Sequence, residues 1–183
     1  MRMRTKNGGS HMLVAKKVHS LKNNNEVKTL YNTAFPKVER FSMLVLKVLS
    51  YKKNVYSLAF YDNDKFVGFS YFFVNDKAVF ILYLATNSQI RSKGYGSQII
   101  NYIKHNFGSR DIFLDAEAPN ETSTNQEQRL KRISFYKKNG IYETQNFFEH
   151  QGVMYEILST NPNFTESDYM DNLKEMIVCL KKY

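Results

Sequence analysis

The 183-residue chain is 43% apolar and 15% aromatic, enough for one packed domain and too much for a disordered tail. Its formal charge of +9 suits an anionic ligand, but no Lys/Arg block exceeds two residues and no known nucleic-acid module is present, so nucleic acid is set aside as a partner. A single cysteine, Cys179, excludes an intrachain disulfide; the longest wholly apolar run, "AVFILYLA" at 78–85, is too short to span a bilayer, and with no signal peptide after Met12 the expected location is the cytoplasm.

The first eleven residues, "MRMRTKNGGSH", lack apolar periodicity and read as a protease-and-cloning scar. Setting aside Arg2, Arg4 and Lys6 lowers the charge to +6. Residues 12–183 are expected to form a single domain. "MLVAKKVH" reads as a first strand. "NNNEVKTLYNTAF" opens on asparagines able to cap a helix, with Val27, Leu30, Tyr31 and Ala34 at helical spacing. Pro36 interrupts and then starts a second helix carrying Val38, Phe41, Leu44, Val45 and Val48. Three strands follow, "NVYSLAFYD", "FVGFSYFFV" and "KAVFILYLAT", joined by the short turns "DNDK" and "ND", which predicts an antiparallel meander. The third is apolar on both faces and belongs at the centre of the sheet.

"SQIINYIKHNF" then places Ile99, Ile100, Ile103 and Phe107 on one helical face, with Gly108 at its end. "DIFLDAEA" is a strand and "PNETSTNQEQ" a polar loop. "RLKRISFYKKN" is a helix with Leu130, Ile133 and either Phe135 or Tyr136 inward, closed by Gly140. "IYETQNFFEH" and "GVMYEIL" make a last strand pair. "TESDYMDNLKEMIVCLKKY" is a terminal helix capped by Thr165 or Ser167, with Met170, Leu173, Ile177 and Leu180 as its apolar stripe. Cys179 in that helix has no histidine nearby and reads as an inert thiol. The fold class expected is α/β in the α+β sense: a mixed, mostly antiparallel sheet flanked by helices, with an extra helix at the C-terminus.

Between the central strand and its helix lies "TNSQIRSKGYGSQII", residues 86–100. Free N–H groups and the dipole at a helix start favour an anion there. Gly94 and Gly96 let backbone approach a phosphate without a Cβ in the way, and Arg91 and Lys93 add cationic donors. Taken alone, the pattern fits an ordinary turn equally well. The Walker pattern is absent, and the dinucleotide fingerprint fails because Ile99 stands where its third glycine belongs.

Arg91-Ser92-Lys93-Gly94-Tyr95-Gly96 resembles the acetyl-CoA loop of the GNAT superfamily of N-acetyltransferases, Arg/Gln-x-x-Gly-x-Gly/Ala. "RISFYKKNGIYE", residues 132–143, resembles the second signature of that family, an apolar helix ending in tyrosine followed by x-x-x-Gly and a large apolar residue. The order of elements is similar from about residue 13 to 160. The resemblance implies acetyl transfer from acetyl-CoA to a primary amine by direct attack in a ternary complex, with acetyl-CoA as cosubstrate and no metal. It further implies that backbone of Leu84, Ala85 and Thr86 pairs with pantetheine. Amides of Ser92, Lys93, Gly94, Tyr95, Gly96 and Ser97 would cradle the pyrophosphate, and Arg91 would reach a phosphate.

Attack on a thioester needs a neutral amine, and the departing thiolate gains by being protonated, so a base and an acid are useful. Tyr136 matches the family tyrosine beside the CoA sulfur; phenol and thiol ionise in the same alkaline range, so the proton can pass between them. Some relatives carry a glutamate base on the strand before the loop, but "AVFILYLAT" holds no acid. The nearest carboxylates are Asp115 and Glu117 on the next strand, and Glu117, nearer its end, is taken as the base. Many relatives have asparagine seven residues before the tyrosine; here that position is Arg129, which with Arg132 reads as surface charge. The acceptor walls implied by the family are "AFPKVERF" and "NFFEH", with Phe35, Phe41, Phe147 and Phe148 as an aromatic lining and His150 as a contact. The acceptor is a small-molecule or peptide amine, a homodimer is admitted, and neither membrane nor nucleic acid is expected. The alternative is a GNAT-shaped module that binds CoA or a ligand without turnover.

Overall fold

The computed structural model describes residues 13–19, 24–90, 93–120 and 123–181; the N-terminal segment expected to be a scar, together with Arg91 and Ser92, lies outside them. Seven strands and five α-helices follow one another as β1 (Leu13–Lys17), α1 (Asn25–Ala34), α2 (Met43–Leu49), β2 (Val55–Asp62), β3 (Lys65–Val74), β4 (Ala78–Thr86), α3 (Tyr95–Phe107), β5 (Asp111–Glu117), α4 (Gln126–Lys138), β6 (Tyr142–His150), β7 (Val153–Ser159) and α5 (Glu166–Lys181). The strands run in the order β1-β2-β3-β4-β5-β7-β6. The doubly apolar strand β4 takes the middle place, as its composition predicts. Its pairing with β5 is parallel, whereas β1–β2, β2–β3, β5–β7 and β6–β7 are antiparallel. The mixed, mostly antiparallel sheet expected from the sequence is therefore present.

The chain forms two compact units, one of residues up to Phe73 with Tyr83–Ile103, the other of Val74–Leu82 with Lys104 onward. In the first, Asn63 and Asp64 both have positive φ, 47° and 61°, the conformation of a tight hairpin turn between β2 and β3. Asn24 caps α1 by accepting from the Val27 amide. Val27 and Tyr31 are buried, with Phe60, Phe69, Ile99, Ile100 and Ile103 in the same core.

The helix expected after Pro36 is divided. A 3-10 turn, Lys37–Glu39, precedes α2, which Ser42 caps afresh by accepting from the Val45 amide. The new start resets the helical phase, so Leu46 and Leu49 are buried while Val38, Phe41, Leu44, Val45 and Val48 stay exposed. Tyrosine hydroxyls tie the linker down: Tyr31 donates to the Phe41 carbonyl, while Tyr83 donates to the Glu39 carbonyl and accepts from the Phe41 amide.

In the second unit β6 and β7 join through Gln151 and Gly152, again at positive φ. Phe80 and Phe113 stack at 4.9 Å, and Tyr169 of α5 meets both rings edge-on. Thr165 and Asp168 cap α5 reciprocally, the Asp168 amide donating to the threonine hydroxyl and the Thr165 amide to the carboxylate. Its buried side is Tyr169, Asn172 and Met176, one residue out of phase with the expected stripe, and Met170 is exposed. Asn172 and Glu175 both accept from the Asn75 side chain, which fixes the helix to the turn before β4. The side chains of Ile177, Cys179 and Leu180 lie outside the described residues. Likewise α4 buries Arg129, Ile133 and Tyr136 and exposes Leu130, where the sequence reading had leucine inward and arginine at the surface. Lys104 donates to the Asn139 carbonyl at the C-terminal end of α4, where a cation suits the helix dipole.

Among the described residues no helix is long and apolar enough to cross a membrane. A Cβ on Gly68 of β3 would sit 2.5 Å from the Ala85 carbonyl oxygen. Gly68→Ala is therefore expected to lower stability by about 1–3 kcal/mol through strain in a packed sheet, read as a drop in the denaturant midpoint.

Candidate functional site

The glycine loop begins where β4 ends. Leu84 and Thr86 are half-buried and Ala85 is buried beneath the close approach of Gly68. The Asn87 amide donates to the Val67 carbonyl, holding the strand end to β3. The ladder between β4 and β5 covers only Ala78↔Asp111, Val79↔Ile112 and Phe80↔Phe113. Lys93 and Gly94 are exposed. Gly94 has φ of +71° and open space around the place of a Cβ, so it is conformation rather than crowding by protein that calls for glycine there. Its carbonyl accepts from the Gln98 amide and closes the first turn of α3. Tyr95, Gly96 and Ser97 open that helix, so their N–H groups lack an intrahelical partner, and no acid lies in the first turn.

Tyr95 is buried and donates from its hydroxyl to Asp62 Oδ2 at 2.7 Å, which ties the helix start to the end of β2. That bond raises the tyrosine pKa, with burial and the aspartate charge acting the same way. Nothing in the sequence pointed to Asp62: it lies thirty-three residues away and reads there only as a turn acid.

The two candidate catalytic residues belong to the other unit. Tyr136 is buried on α4, and burial pushes its hydroxyl up to about 12. The Arg132 charge pulls the other way, and Asp115 adds to the rise. Glu117 is buried at the end of β5 and filled with donors. Its Oε1 accepts from Arg129 Nη2 at 3.1 Å, and its Oε2 accepts from Asn125 Nδ2 at 3.2 Å and Arg132 Nη1 at 3.5 Å. Arg129 also donates to the Ala118 carbonyl and to Asn125 Oδ1, both at 2.8 Å. Reading Arg129 as surface charge is thus overturned: its side chain is 9% exposed and paired, because burying a guanidinium requires partners for its donors.

Asp115, two residues earlier, accepts from the Tyr169 hydroxyl at 2.6 Å. Burial of its carboxyl raises its pKa, against the opposing influence of that hydrogen bond and of the His150 charge. Of the aromatic walls, Phe148 stacks between Tyr155 and Tyr169 at 5.5 and 5.2 Å, and Phe147 is exposed. Phe35 packs with Tyr31, Phe69 and Tyr83, while Phe41 is exposed. No group of three metal-ligating side chains occurs among the described residues.

Removing one member of the Glu117–Arg129 pair leaves a buried charge without its partner, at a cost of about 3–5 kcal/mol. Glu117→Leu and Arg129→Met should each lower the denaturant midpoint strongly, and the double variant by less than their sum. Additive losses would mean that the two side chains act independently.

Residues 24–141 match the family model described as acetyltransferase (GNAT) family. No curated protein matches the chain by sequence. Among solved structures, a protein from Bacteroides thetaiotaomicron described as a GNAT-family acetyltransferase is similar, with a TM-score of 0.68 and 19% identity over 90% of this chain and 95% of that one. An aminoglycoside 6'-N-acetyltransferase complexed with coenzyme A has a TM-score of 0.57 and 15% identity over 80% and 95% of the two chains. An Arabidopsis thaliana protein held with the bisubstrate analogue CoA-Ac-MVNAL has a TM-score of 0.56 and 20% identity over 81% and 98%. At these identities the structural likeness is one of fold.

Proposed function

Because the chain belongs to the GNAT family of acetyltransferases, we propose that residues 12–183 form one acetyltransferase domain that moves an acetyl group from acetyl-CoA to a primary amine by direct attack. The observation carrying this reading is that the family match spans both the glycine loop and Tyr136. In the step proposed, the amine nitrogen attacks the thioester carbonyl, the carbon–sulfur bond breaks, a carboxylate takes the amine proton and Tyr136 protonates the leaving thiolate.

Amides of Ser92, Lys93, Gly94, Tyr95, Gly96 and Ser97 would hold the pyrophosphate and Arg91 a phosphate oxygen. The open first turn of α3, without an acid, supports this. Leu84, Ala85 and Thr86 would offer backbone to pantetheine, supported by the end of the β4–β5 ladder at Phe80↔Phe113. Tyr136, with its pKa raised by burial, keeps its proton at neutral pH and so has one to give.

Glu117 holds the base's role in the sequence reading, but both its oxygens already accept hydrogen bonds. We assign proton removal to Asp115 instead and give Glu117 the task of fixing the start of α4. Burial raises the Asp115 carboxyl, and basicity rises with pKa. The sign is direct: activity is lost as pH falls through the raised pKa of Asp115, so the acid limb of kcat should lie above the ordinary carboxylate range.

A panel of amines assayed by release of free CoA thiol tests the reaction. No turnover with any amine, alongside tight CoA binding, would favour the binding module. Gly94→Asp should abolish CoA binding in calorimetry, through strain at positive φ and a charge facing phosphate. Asp115→Asn and Tyr136→Phe should each lower kcat by about 10²–10⁴-fold with CoA affinity retained. Glu117→Gln should cost stability more than turnover; the reverse pattern between Asp115 and Glu117 would return the base to Glu117.

A further inference from the structure

Helix α5 lies beyond the residues that match the family model, which end at 141. Its Tyr169 nevertheless makes a short hydrogen bond, 2.6 Å, to Asp115 on β5. The ring is fixed on three sides, stacked on Phe148 at 5.2 Å and edge-on to Phe113 and Phe80 at 5.9 and 6.0 Å. A buried phenol held this firmly has little rotamer freedom, so the place of its hydroxyl oxygen is set by packing, and its O–H turns to the carboxylate. The helix behind it is anchored in turn by the Thr165–Asp168 cap and by the Asn172 and Glu175 bonds to Asn75.

We propose that α5 is part of the reaction apparatus and that Tyr169 is a positioning residue, holding the Asp115 carboxylate through its Oδ2 in the orientation that takes the amine proton. This rests on the assignment of Asp115 as base. The groups facing Asp115 are Tyr169 from α5, His150 from β6 and Tyr136 from α4, whose hydroxyl feels both Asp115 and Arg132. Glu117 on the same strand is engaged by Arg129, Arg132 and Asn125. Burial also lifts the Tyr169 hydroxyl far above neutral, so it remains a donor across the working range. A hydrogen bond to the charged form holds the carboxylate pKa down against burial.

The test is Tyr169→Phe, which keeps the ring and its stacking and removes only the donor. The acid limb of the kcat–pH profile should move up by about one pH unit, the scale of one hydrogen bond to a charged group, with kcat recovering at high pH and CoA affinity unchanged. Nuclear magnetic resonance of the carbon-13-labelled Asp115 carboxyl, in wild type and variant without substrate, should show the same upward shift. A uniform fall in kcat at every pH, or an Asp115 pKa that does not move, would overturn the role of Tyr169. If instead Asp115→Asn leaves kcat and its pH limb intact, the base assignment fails and the positioning role fails with it, even where the carboxyl pKa shifts. A variant too unstable to assay is replaced by Tyr169→Met, which keeps an apolar side chain between the rings and predicts the same shift.

Discussion

Two carboxylates, Asp115 and Glu117, sit two residues apart at the end of a strand whose other residues are mostly buried. Taking either out of water without partners would cost several kcal/mol, and the second unit is arranged around that demand. Glu117 draws in Arg129 and Arg132 from α4 and Asn125 from its start. Asp115 is met by Tyr169 from α5. The way α4 and α5 are turned on their axes follows: α4 points an arginine inward and a leucine outward, and α5 presents a tyrosine where a stripe of aliphatic residues was expected. The two acids are met differently: Glu117 accepts from two arginines and an asparagine, whereas Asp115 accepts from a neutral tyrosine hydroxyl and has a pKa raised by burial.

The first unit meets a different constraint, that of a glycine loop at a helix start with little side chain of its own to pack. Gly94 and Gly96 supply no anchoring surface, so the residue between them does. Tyr95 goes inward to Asp62, and the loop is held by a bond to the end of β2. The neighbouring strand end is fixed by the missing Cβ of Gly68 and by the Asn87 amide. The same economy of tyrosine hydroxyls recurs in the linker before α2, where Tyr31 and Tyr83 satisfy backbone groups of Glu39 and Phe41 that no helix satisfies. The side-chain hydroxyls thereby hold a non-helical segment in one conformation.

The apolar surface left outside is informative about helix phase. Leu44, Val45 and Val48 on α2 are exposed although they fall at helical spacing. Periodicity alone identifies a stripe without saying which of two adjacent stripes is covered when both are apolar. Ser42 decided it by starting a new helix, after which Leu46 and Leu49 faced the core.

By itself the sequence determined the class of the fold, the order of its elements and the place of the glycine loop. Those properties depend on local periodicity, on turn residues such as Asn63-Asp64 and Gly152, and on a central strand apolar on both faces. It also singled out Tyr136 as a candidate, through a signature contained within twelve residues. What only the tertiary structure decided is which polar groups meet: Asp62 with Tyr95, Arg129 with Glu117, and Tyr169 with Asp115. A hydrogen bond between residues dozens of positions apart leaves no periodic trace. An arginine that is buried because a carboxylate awaits it looks, along the chain, the same as one that is solvated. Burial and pairing are properties of the partners together, and the partners are brought to each other only by the packing of strands and helices.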